Sequence, residues 1–329
     1  MPIVIQDITL DQIESASRIV YAEMQPTPQY CWPLLCESLG TEVWVKHENH
    51  TPIGSFKLRG GLVYFSQLAK SSEKPKRVVS ATKGNHGQSV GFAARQYGIP
   101  ATIVVPFGNS TEKNNAMLSL GVELIEHGYD FQSAREFAIK MAHENSVKMI
   151  PSFDPHLVTG VATYSLELLK AVKDLDIVYV PIGLGSGICG MLAVRDALKL
   201  RTKIVGVVST HAKSYAESFT SRVPVESPVN TKIADGMACR IPEQSALELI
   251  WKGVERIVQV SDEEIAEAIR ILHESTHNIF EGSGAAAYAA AMQDSSRLKG
   301  CKVAVIASGG NIDRKVYAAV LNGDDYAAL

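Results

Sequence analysis

The sequence predicts an α/β fold with two doubly wound, mostly parallel sheet domains and a cleft between them. Short β-branched runs alternate with helical stretches along the 329 residues, the alternation falls into two blocks, and no low-complexity linker separates the blocks. We therefore expect a small domain over residues 52–148. The large domain is expected to combine residues 1–51 with residues 149–329 and to pack closely against the small one.

The first block contains a strand–helix–strand unit. RVVSA (77–81) predicts a strand, GQSVGFAARQYG predicts a helix that begins near Gly87, and ATIVVP (101–106) predicts the next strand. Such a unit implies parallel, buried strands. A helix, a strand and a helix are expected to follow at 109–121, 122–128 and 131–145.

The second block repeats the alternation after a nearly continuous apolar strand, DIVYVPIG. SDEEIAEAIRILHEST is strongly amphipathic and opens with an N-cap serine and first-turn acids, which predicts a helix from about residue 261. An Ala-rich helix, GAAAYAAAMQDS, precedes a final buried strand, KVAVIAS. The remaining expected elements are a helix at 187–200 and a strand at 203–209.

Composition excludes several classes of protein. The net charge is −3 and there is no long Lys/Arg block, so nucleic acid is not an expected partner. No apolar run approaches the roughly 18 residues of a membrane span. The five cysteines are odd in number and match no zinc spacing, which indicates free thiols in a reducing compartment. We expect a soluble, cytoplasmic protein.

Three polar or glycine-rich segments follow apolar strands, where open α/β sheets bind ligands: ATKGNHGQS, GLGSG and SGGN. GLGSG (183–187) is neither a P-loop nor GxGxxG, which disfavours a nicotinamide dehydrogenase. It is suited to cradle a phosphate, although a tight turn without a ligand is equally consistent. Lys57 lies between Phe56 and Leu58, and an amine in apolar surroundings can act as a nucleophile or base. Pyridoxal phosphate requires such an amine together with a phosphate anchor.

Four motifs, HENHTPIGSFKLRGG, ATKGNHGQS, VPIGLGSG and SGGNID, occur in this order between about residues 45 and 313. Together they resemble the fold type II (tryptophan-synthase-β-like) pyridoxal-phosphate enzymes, most closely the threonine/serine dehydratase and serine racemase branch. EGSGAAA (281–287) and ADGMA (234–238) also resemble segments of that family.

The resemblance implies roles for individual residues. Lys57 would carry pyridoxal 5'-phosphate as a Schiff base and move the Cα proton, Phe56 would pack against the ring, and Asn85 would bond its phenolic oxygen. Ser308 would face the pyridine nitrogen, and a neutral hydroxyl there leaves the ring a weaker electron sink. The phosphate would be held by Gly183, Leu184, Gly185, Ser186 and Gly187. The substrate would be held by Thr82, Lys83, Gly84, His86 and Gly236, with Glu281 also lining the pocket.

The implied reaction is α,β-elimination on a β-hydroxy amino acid such as L-threonine or L-serine, giving a 2-oxo acid and ammonia. The alternatives are a dehydratase of 3-hydroxyaspartate or phenylserine, or a serine racemase. A β-replacement enzyme is disfavoured by the residues around Lys57 and Asn85. A non-catalytic binding protein is disfavoured because the cofactor residues are retained.

Two departures from the branch matter. Lys83 stands where racemases carry a serine on the face opposite the lysine, so racemisation is not expected unless Lys83 takes that role. Lys83 could instead pair with a second substrate carboxylate, or point out of the turn into solvent. Val208 and Ser214 stand where the carboxylates of a divalent-cation site would be, so no metal is expected. Relatives suggest a homodimer or homotetramer, and a catabolic role fits a chain with no added regulatory domain.

Overall fold

The computed structural model describes residues 5–71 and 74–326. Within them the strands are β1 (Gln29–Cys31), β2 (Glu42–His47), β3 (Val78–Ala81), β4 (Ala101–Val105), β5 (Glu123–Glu126), β6 (Lys148–Met149), β7 (Ile177–Pro181), β8 (Lys203–Ser209), β9 (Arg256–Val260) and β10 (Lys302–Ala307).

The helices of the same residues are α1 (Leu10–Val20), α2 (Pro33–Leu39), α3 (Lys57–Lys70), α4 (Asn85–Gln96), α5 (Thr111–Ser119), α6 (Phe131–Glu144), α7 (Pro155–Ala171), α8 (Ser186–Ala197), α9 (Ser214–Ser221), α10 (Gln244–Gly253), α11 (Asp262–Thr276), α12 (Gly282–Gln293) and α13 (Arg314–Asn322).

The strands form two sheets, as the alternation predicts. The larger has six strands in the order β1-β2-β10-β7-β8-β9, and the smaller has four in the order β5-β4-β3-β6. The pairs within the smaller sheet are parallel, and in the larger only β1 runs antiparallel to its neighbour. The predicted fold class is confirmed. The small sheet lies within residues 78–149, and the exact domain bounds, 52–148 for the small one, stay a prediction.

Local sequence explains several helix ends. Ser261 caps α11: its hydroxyl accepts from the Glu264 amide, while the Glu264 carboxylate accepts from the Ser261 amide. This confirms the predicted N-cap. Helix α4 begins at Asn85, two residues before the predicted start near Gly87, and α8 ends at Ala197 rather than 200. Expected and observed bounds of the other elements differ by a few residues.

Helix α7 was not predicted from the pattern, although it lies at the centre of the molecule. Twelve of its seventeen residues are buried, and it packs between α3 and α8. Close approach to α3 is possible because Gly160 carries no side chain: a Cβ there would lie 2.3 Å from the carbonyl oxygen of Arg59. Helix α7 thereby fixes the position of α3, which begins at Lys57.

Apolar layers cover both faces of the two sheets. One cluster packs α7, α8 and α10 on one face of the larger sheet, and a second packs the Ala-rich α12 with α11 on the other. Smaller clusters around α3 and α4 and around α6 cover the two faces of the smaller sheet. No helix in the described residues is long and apolar enough to cross a bilayer. The five cysteines are free, as expected.

Candidate active site

The loops after β3, β7 and β10 meet in one region, with the start of α3 between them. The Ser55 backbone forms a bridge to Gly309, and the Phe56 amide donates to the Ser308 carbonyl at 3.1 Å. The Ser89 hydroxyl, on α4, donates to the Lys57 carbonyl at 2.7 Å. The carboxyl ends of parallel strands in the two sheets therefore position the lysine from both sides.

The Lys57 amine lies 5.1 Å from the centre of the Phe56 ring. Burial lowers the pKa of Lys57, and the charge of Glu281 acts in the opposite direction. The Phe56 ring in turn packs edge-on to Tyr164 at 6.2 Å. The neutral form of the amine, which is the nucleophilic form, is favoured in these surroundings.

Asn85, at the start of α4, and Glu281, just before α12, form a hydrogen-bonded pair. The Asn85 amide nitrogen donates to both Glu281 carboxylate oxygens, and Asn85 Oδ1 accepts from Asn311 at 2.7 Å. Glu281 is 8% exposed, and burial raises its pKa, with Lys113 and Asn85 opposing the rise. Gly309 leaves room for this carboxylate, because a Cβ there would lie 2.6 Å from Glu281 Oε1.

The glycine loop from 183 to 187 precedes α8. Gly185 has φ +100°, which favours glycine, and it caps the helix. A Cβ on Gly183 would lie 2.3 Å from the carbonyl oxygen of Gly236. The Leu184 carbonyl accepts from the Tyr215 hydroxyl at 2.8 Å, and the Gly187 carbonyl accepts from Tyr164 at 3.2 Å. These contacts hold the loop in place at the start of α8. The first-turn amides of α8, which include those of Ser186 and Gly187, have no intrahelical acceptors.

The loop 82–86 leads into α4. The Gly84 amide donates to the Thr82 hydroxyl at 3.0 Å, so the amides left for a ligand are those of the first turn of α4. His86 is buried and its Nε2 has no hydrogen-bond partner within the described residues. Burial lowers the pKa of His86 to about 3, and the charge of Lys57 acts in the same direction. His86 is therefore a neutral ring at this loop.

Ser308 is buried at the end of β10, and its hydroxyl donates to the Ser283 carbonyl at 3.1 Å. The hydroxyl of Ser283 itself is buried, and it has no partner within residues 5–71 and 74–326. It lies against Gly236, where a Cβ would be 2.7 Å from Ser283 Oγ. Buried polar atoms without a partner are uncommon, and these lie where a polar ligand would sit.

Lys83 does not simply extend into solvent. Its Nζ lies 3.3 Å from Asp235 Oδ1, and the Nζ of Lys113 lies 3.2 Å from Asp235 Oδ2. Burial alone would raise the pKa of Asp235, but the two lysines hold it below the ordinary value. Burial alone would lower the pKa of Lys113, and Asp235 raises it instead. We call Lys83, Lys113 and Asp235 the lysine–aspartate cluster.

A largely buried charge network surrounds Arg59, two residues after Lys57 on α3. Arg59 donates to Glu48 at 2.7 Å and to Glu167 at 2.6 Å, and Lys46 pairs with Glu167. Thr163 on α7 accepts from the same guanidinium at 3.0 Å. Two cations face two carboxylates, and the network joins β2, α3 and α7.

Residues 20–309 match the model of a family described as "Pyridoxal-phosphate dependent enzyme". The chain belongs to this family. It is 34% identical over 316 residues to the L-threonine ammonia-lyase of Thermotoga maritima, covering 96% of this chain and 78% of that protein. It is 29% identical over 318 residues to the L-threo-3-hydroxyaspartate ammonia-lyase of Saccharomyces cerevisiae, covering 96% and 97%. Threonine deaminase isoform 2 of Solanum lycopersicum superposes with a TM-score of 0.86 at 27% identity, covering 100% and 98%.

The chain is thus a pyridoxal-phosphate-dependent ammonia-lyase of the threonine dehydratase and serine racemase branch. The site fits this cofactor. The glycine loop offers a cradle that Cβ atoms would fill, the helix behind it offers unpaired amides for a phosphate, and Lys57 is a partly buried amine. Lys57, Phe56, Gly187 and Ser308 form one contiguous set, since Phe56 Cε2 lies 4.0 Å from a Cβ built on Gly187.

Three residues of this pyridoxal-phosphate site were not singled out from the sequence. Asn311 and Asp235 lie within motifs that were recognised, SGGNID and ADGMA, so their positions carried a signal. Lys113 lies in an ordinary helix and carried none. Val208 and Ser214 are buried in β8 and at the start of α9. Within the described residues no group of three or more His, Cys, Asp or Glu could hold a metal. The expectation of no metal stays a prediction.

Proposed function

We propose that this ammonia-lyase catalyses α,β-elimination on β-hydroxy amino acids, releasing a 2-oxo acid and ammonia. The observation that carries the proposal is the setting of Lys57, whose amine has a lowered pKa, lies against Phe56 and is influenced by the charge of Glu281. Sequence similarity to a threonine ammonia-lyase and a 3-hydroxyaspartate ammonia-lyase supports the substrate class.

Each group has a task in this proposal. The first-turn amides of α4 bind the substrate carboxylate, and those of α8 bind the cofactor phosphate. Lys57 would hold the cofactor covalently until the substrate amine takes its place, and the freed Lys57 amine would then accept the Cα proton. Bound pyridoxal phosphate supplies the electron sink that makes this proton acidic. As the Cα–H electron pair forms the Cα=Cβ bond, the Cβ–O bond would break and the hydroxyl would leave as water with the proton carried by the Lys57 ammonium. The released enamine would tautomerise and be hydrolysed by water to the 2-oxo acid and ammonia.

The side chains of Ser308 and His86 are both uncharged in this proposal. The Ser308 hydroxyl would face the cofactor ring nitrogen without charging it, which would favour loss of a β-leaving group over a long-lived carbanion. His86, neutral because it is buried, adds no positive charge beside Lys57. Homodimers or homotetramers and a cytoplasmic, catabolic role remain part of the proposal.

A 2-oxo acid assay over L-serine, L-threonine, L-threo-3-hydroxyaspartate and phenylserine tests the proposal, with Lys57→Ala beside the wild type. At least one substrate should give equal amounts of 2-oxo acid and ammonia. The variant should lose turnover together with the visible absorbance of covalently held cofactor. Full turnover in Lys57→Ala, or no ammonia from any substrate, would show that the assignment is wrong. O-acetylserine with sulfide checks for β-replacement.

A further inference from the structure

Two lysines of the lysine–aspartate cluster share a single carboxylate at the mouth of the active site. Lys83 and Asp235 are 44% and 41% exposed, whereas Lys113 is only 16% exposed. Each ammonium group has three donors. Asp235 is the carboxylate that contacts them in the described part of the chain, through one oxygen each. The cluster therefore holds more hydrogen-bond donors than its own carboxylate uses.

The cluster lies between the two loops that bound the site. The stem of Lys113 packs on Gly84, where a Cβ would be 2.9 Å from Lys113 Cδ. Asp235 precedes Gly236, whose carbonyl lies against Gly183 of the glycine loop. Lys83 belongs to loop 82–86 itself. A substrate bound with its α-carboxylate at α4 would thus have Lys83 and Lys113 beside its side chain.

Other charged groups around the cluster do not supply a second contact. Glu281 acts on Lys113 from a distance but is bonded to Asn85. Asp313 also acts on Lys113, yet its carboxylate accepts from Ser110. Lys83 and Lys113 therefore keep donors that Asp235 does not use, and an incoming anion would accept from these donors.

We propose that Lys83 and Lys113 bind an anionic group on the β-carbon of the substrate, so that the enzyme prefers β-hydroxy amino acids with a second carboxylate. This inference rests on the proposed elimination and narrows its substrate class. Asp235 contacts both lysines, and its single negative charge compensates only one of the two ammonium groups. A second substrate carboxylate competes with Asp235 for the lysines, whereas L-threonine has no anionic group on its β-carbon.

The alternative hypothesis is that the cluster is an ion bridge with a purely structural role. The substitution Asp235→Asn distinguishes this hypothesis from anion recognition. An amide releases both lysines without changing the volume of the side chain. If the lysines recognise an anion, Asp235→Asn strengthens binding of a second carboxylate whereas Lys83→Met weakens it. If the cluster is only a bridge, both substitutions break it and act in the same direction.

The experiment compares kcat/KM for L-threo-3-hydroxyaspartate and L-threonine in the holoenzyme and its variants. The wild type should favour hydroxyaspartate, and Lys83→Met and Lys113→Met should lower the ratio by about 10- to 100-fold, as expected for lost charged hydrogen bonds. Lys140→Met, which removes an exposed lysine paired with Glu144, is the control and should leave the ratio unaltered. A wild type that prefers threonine, with equal ratios in all variants, would overturn the inference and leave the elimination standing.

Calorimetry with succinate, and with butanoate as a monocarboxylate of equal length, decides the matter without turnover. Succinate should bind the wild-type holoenzyme more tightly than butanoate does. Compared with the wild type, Lys83→Met should bind succinate less tightly and Asp235→Asn should bind it more tightly. Equal binding of the two acids to every form would contradict the inference. If no substrate releases ammonia, the elimination fails, and these binding data still support or overturn the anion site.

Discussion

Asn85 and Glu281 form a two-point hydrogen bond across the cleft, with Asn85 Nδ2 2.8 Å and 3.1 Å from the two carboxylate oxygens. Asn85 begins α4, which packs on the small sheet, and Glu281 immediately precedes α12, which packs on the large one. The contact joins the two lobes at the residue expected to bond the cofactor. Glu281 therefore orients the Asn85 amide while remaining buried.

Glu281→Gln should change how stability depends on pH. Burial raises the pKa of Glu281 in the folded chain, so its favourable protonated state is lost as pH rises through that raised value. The wild type should lose stability through this group as pH rises from its ordinary pKa of 4.5 through the raised folded value, and the variant should not. Urea unfolding of both holoenzymes at pH 5 and pH 8 measures the difference. A variant less stable than wild type by the same amount at both pH values would contradict this account.

His86→Asn should reduce the loss of folding stability that accompanies a fall in pH. The folded pKa of about 3 lies below the ordinary 6.5, so unfolding takes up a proton between these values and stability falls as pH falls. The slope attributable to His86 is at most about 1.4 kcal/mol per pH unit. Denaturation at intervals from pH 7 to pH 5 should show a smaller slope in the variant. The exposed His143→Asn provides the matched control, and equal slopes in all three proteins would refute the prediction.

Arg59→Met should be strongly destabilising. It leaves Glu48 and Glu167 buried with Lys46 alone to compensate, and breaking a buried pair costs about 3–5 kcal/mol. Arg77→Met removes the exposed pair with Glu123 and should cost less than about 1 kcal/mol. Chemical denaturation of the two variants tests the contrast. Comparable losses would mean that the buried network does not carry the expected energy.

Gly183→Ala should weaken cofactor binding more than Gly187→Ala. The new Cβ would lie 2.3 Å from the Gly236 backbone oxygen in the first case and 3.2 Å from the Tyr164 hydroxyl in the second. Backbone cannot rotate away as a side chain does, so the loop must shift. Titration of apoprotein with pyridoxal phosphate should give an affinity loss above about tenfold for Gly183→Ala, at roughly 1.4 kcal/mol per decade. The order of the two losses decides the prediction.

Much of the fold followed from the sequence because its strands are short, apolar and bounded by glycine or polar turns. RVVSA and DIVYVPIG, for example, correspond to β3 and β7. Helix α7 could not be predicted because burial on nearly all sides removes the polar face that makes a helix periodic. The short β1 carries too few residues for a pattern, and its pairing with β2 depends on the tertiary fold.

The candidate site was predictable where residues lie within motifs, and not where contacts span long separations. Lys57, Asn85 and Ser308 each lie within a recognisable glycine-containing motif. The pairing of Lys113 with Asp235 spans 122 residues, and that of Arg59 with Glu167 spans 108. Asp235 and Arg59 lie within recognised motifs, but no local pattern marks their partners Lys113 and Glu167, because charge complementarity across the fold depends on which helices pack together.

The strand order of the large sheet has a consequence for synthesis of the chain on the ribosome. Strand β10 lies between β2 and β7, although about 120 residues separate β7 from β10 in sequence. Until residues 302–307 emerge, β2 and β7 lack a shared neighbour, and the two parts of the sheet cannot join. The small sheet has all its strands by residue 149 and can form first. The nascent enzyme is therefore completed from its centre, and Ser308 arrives with the strand that closes it.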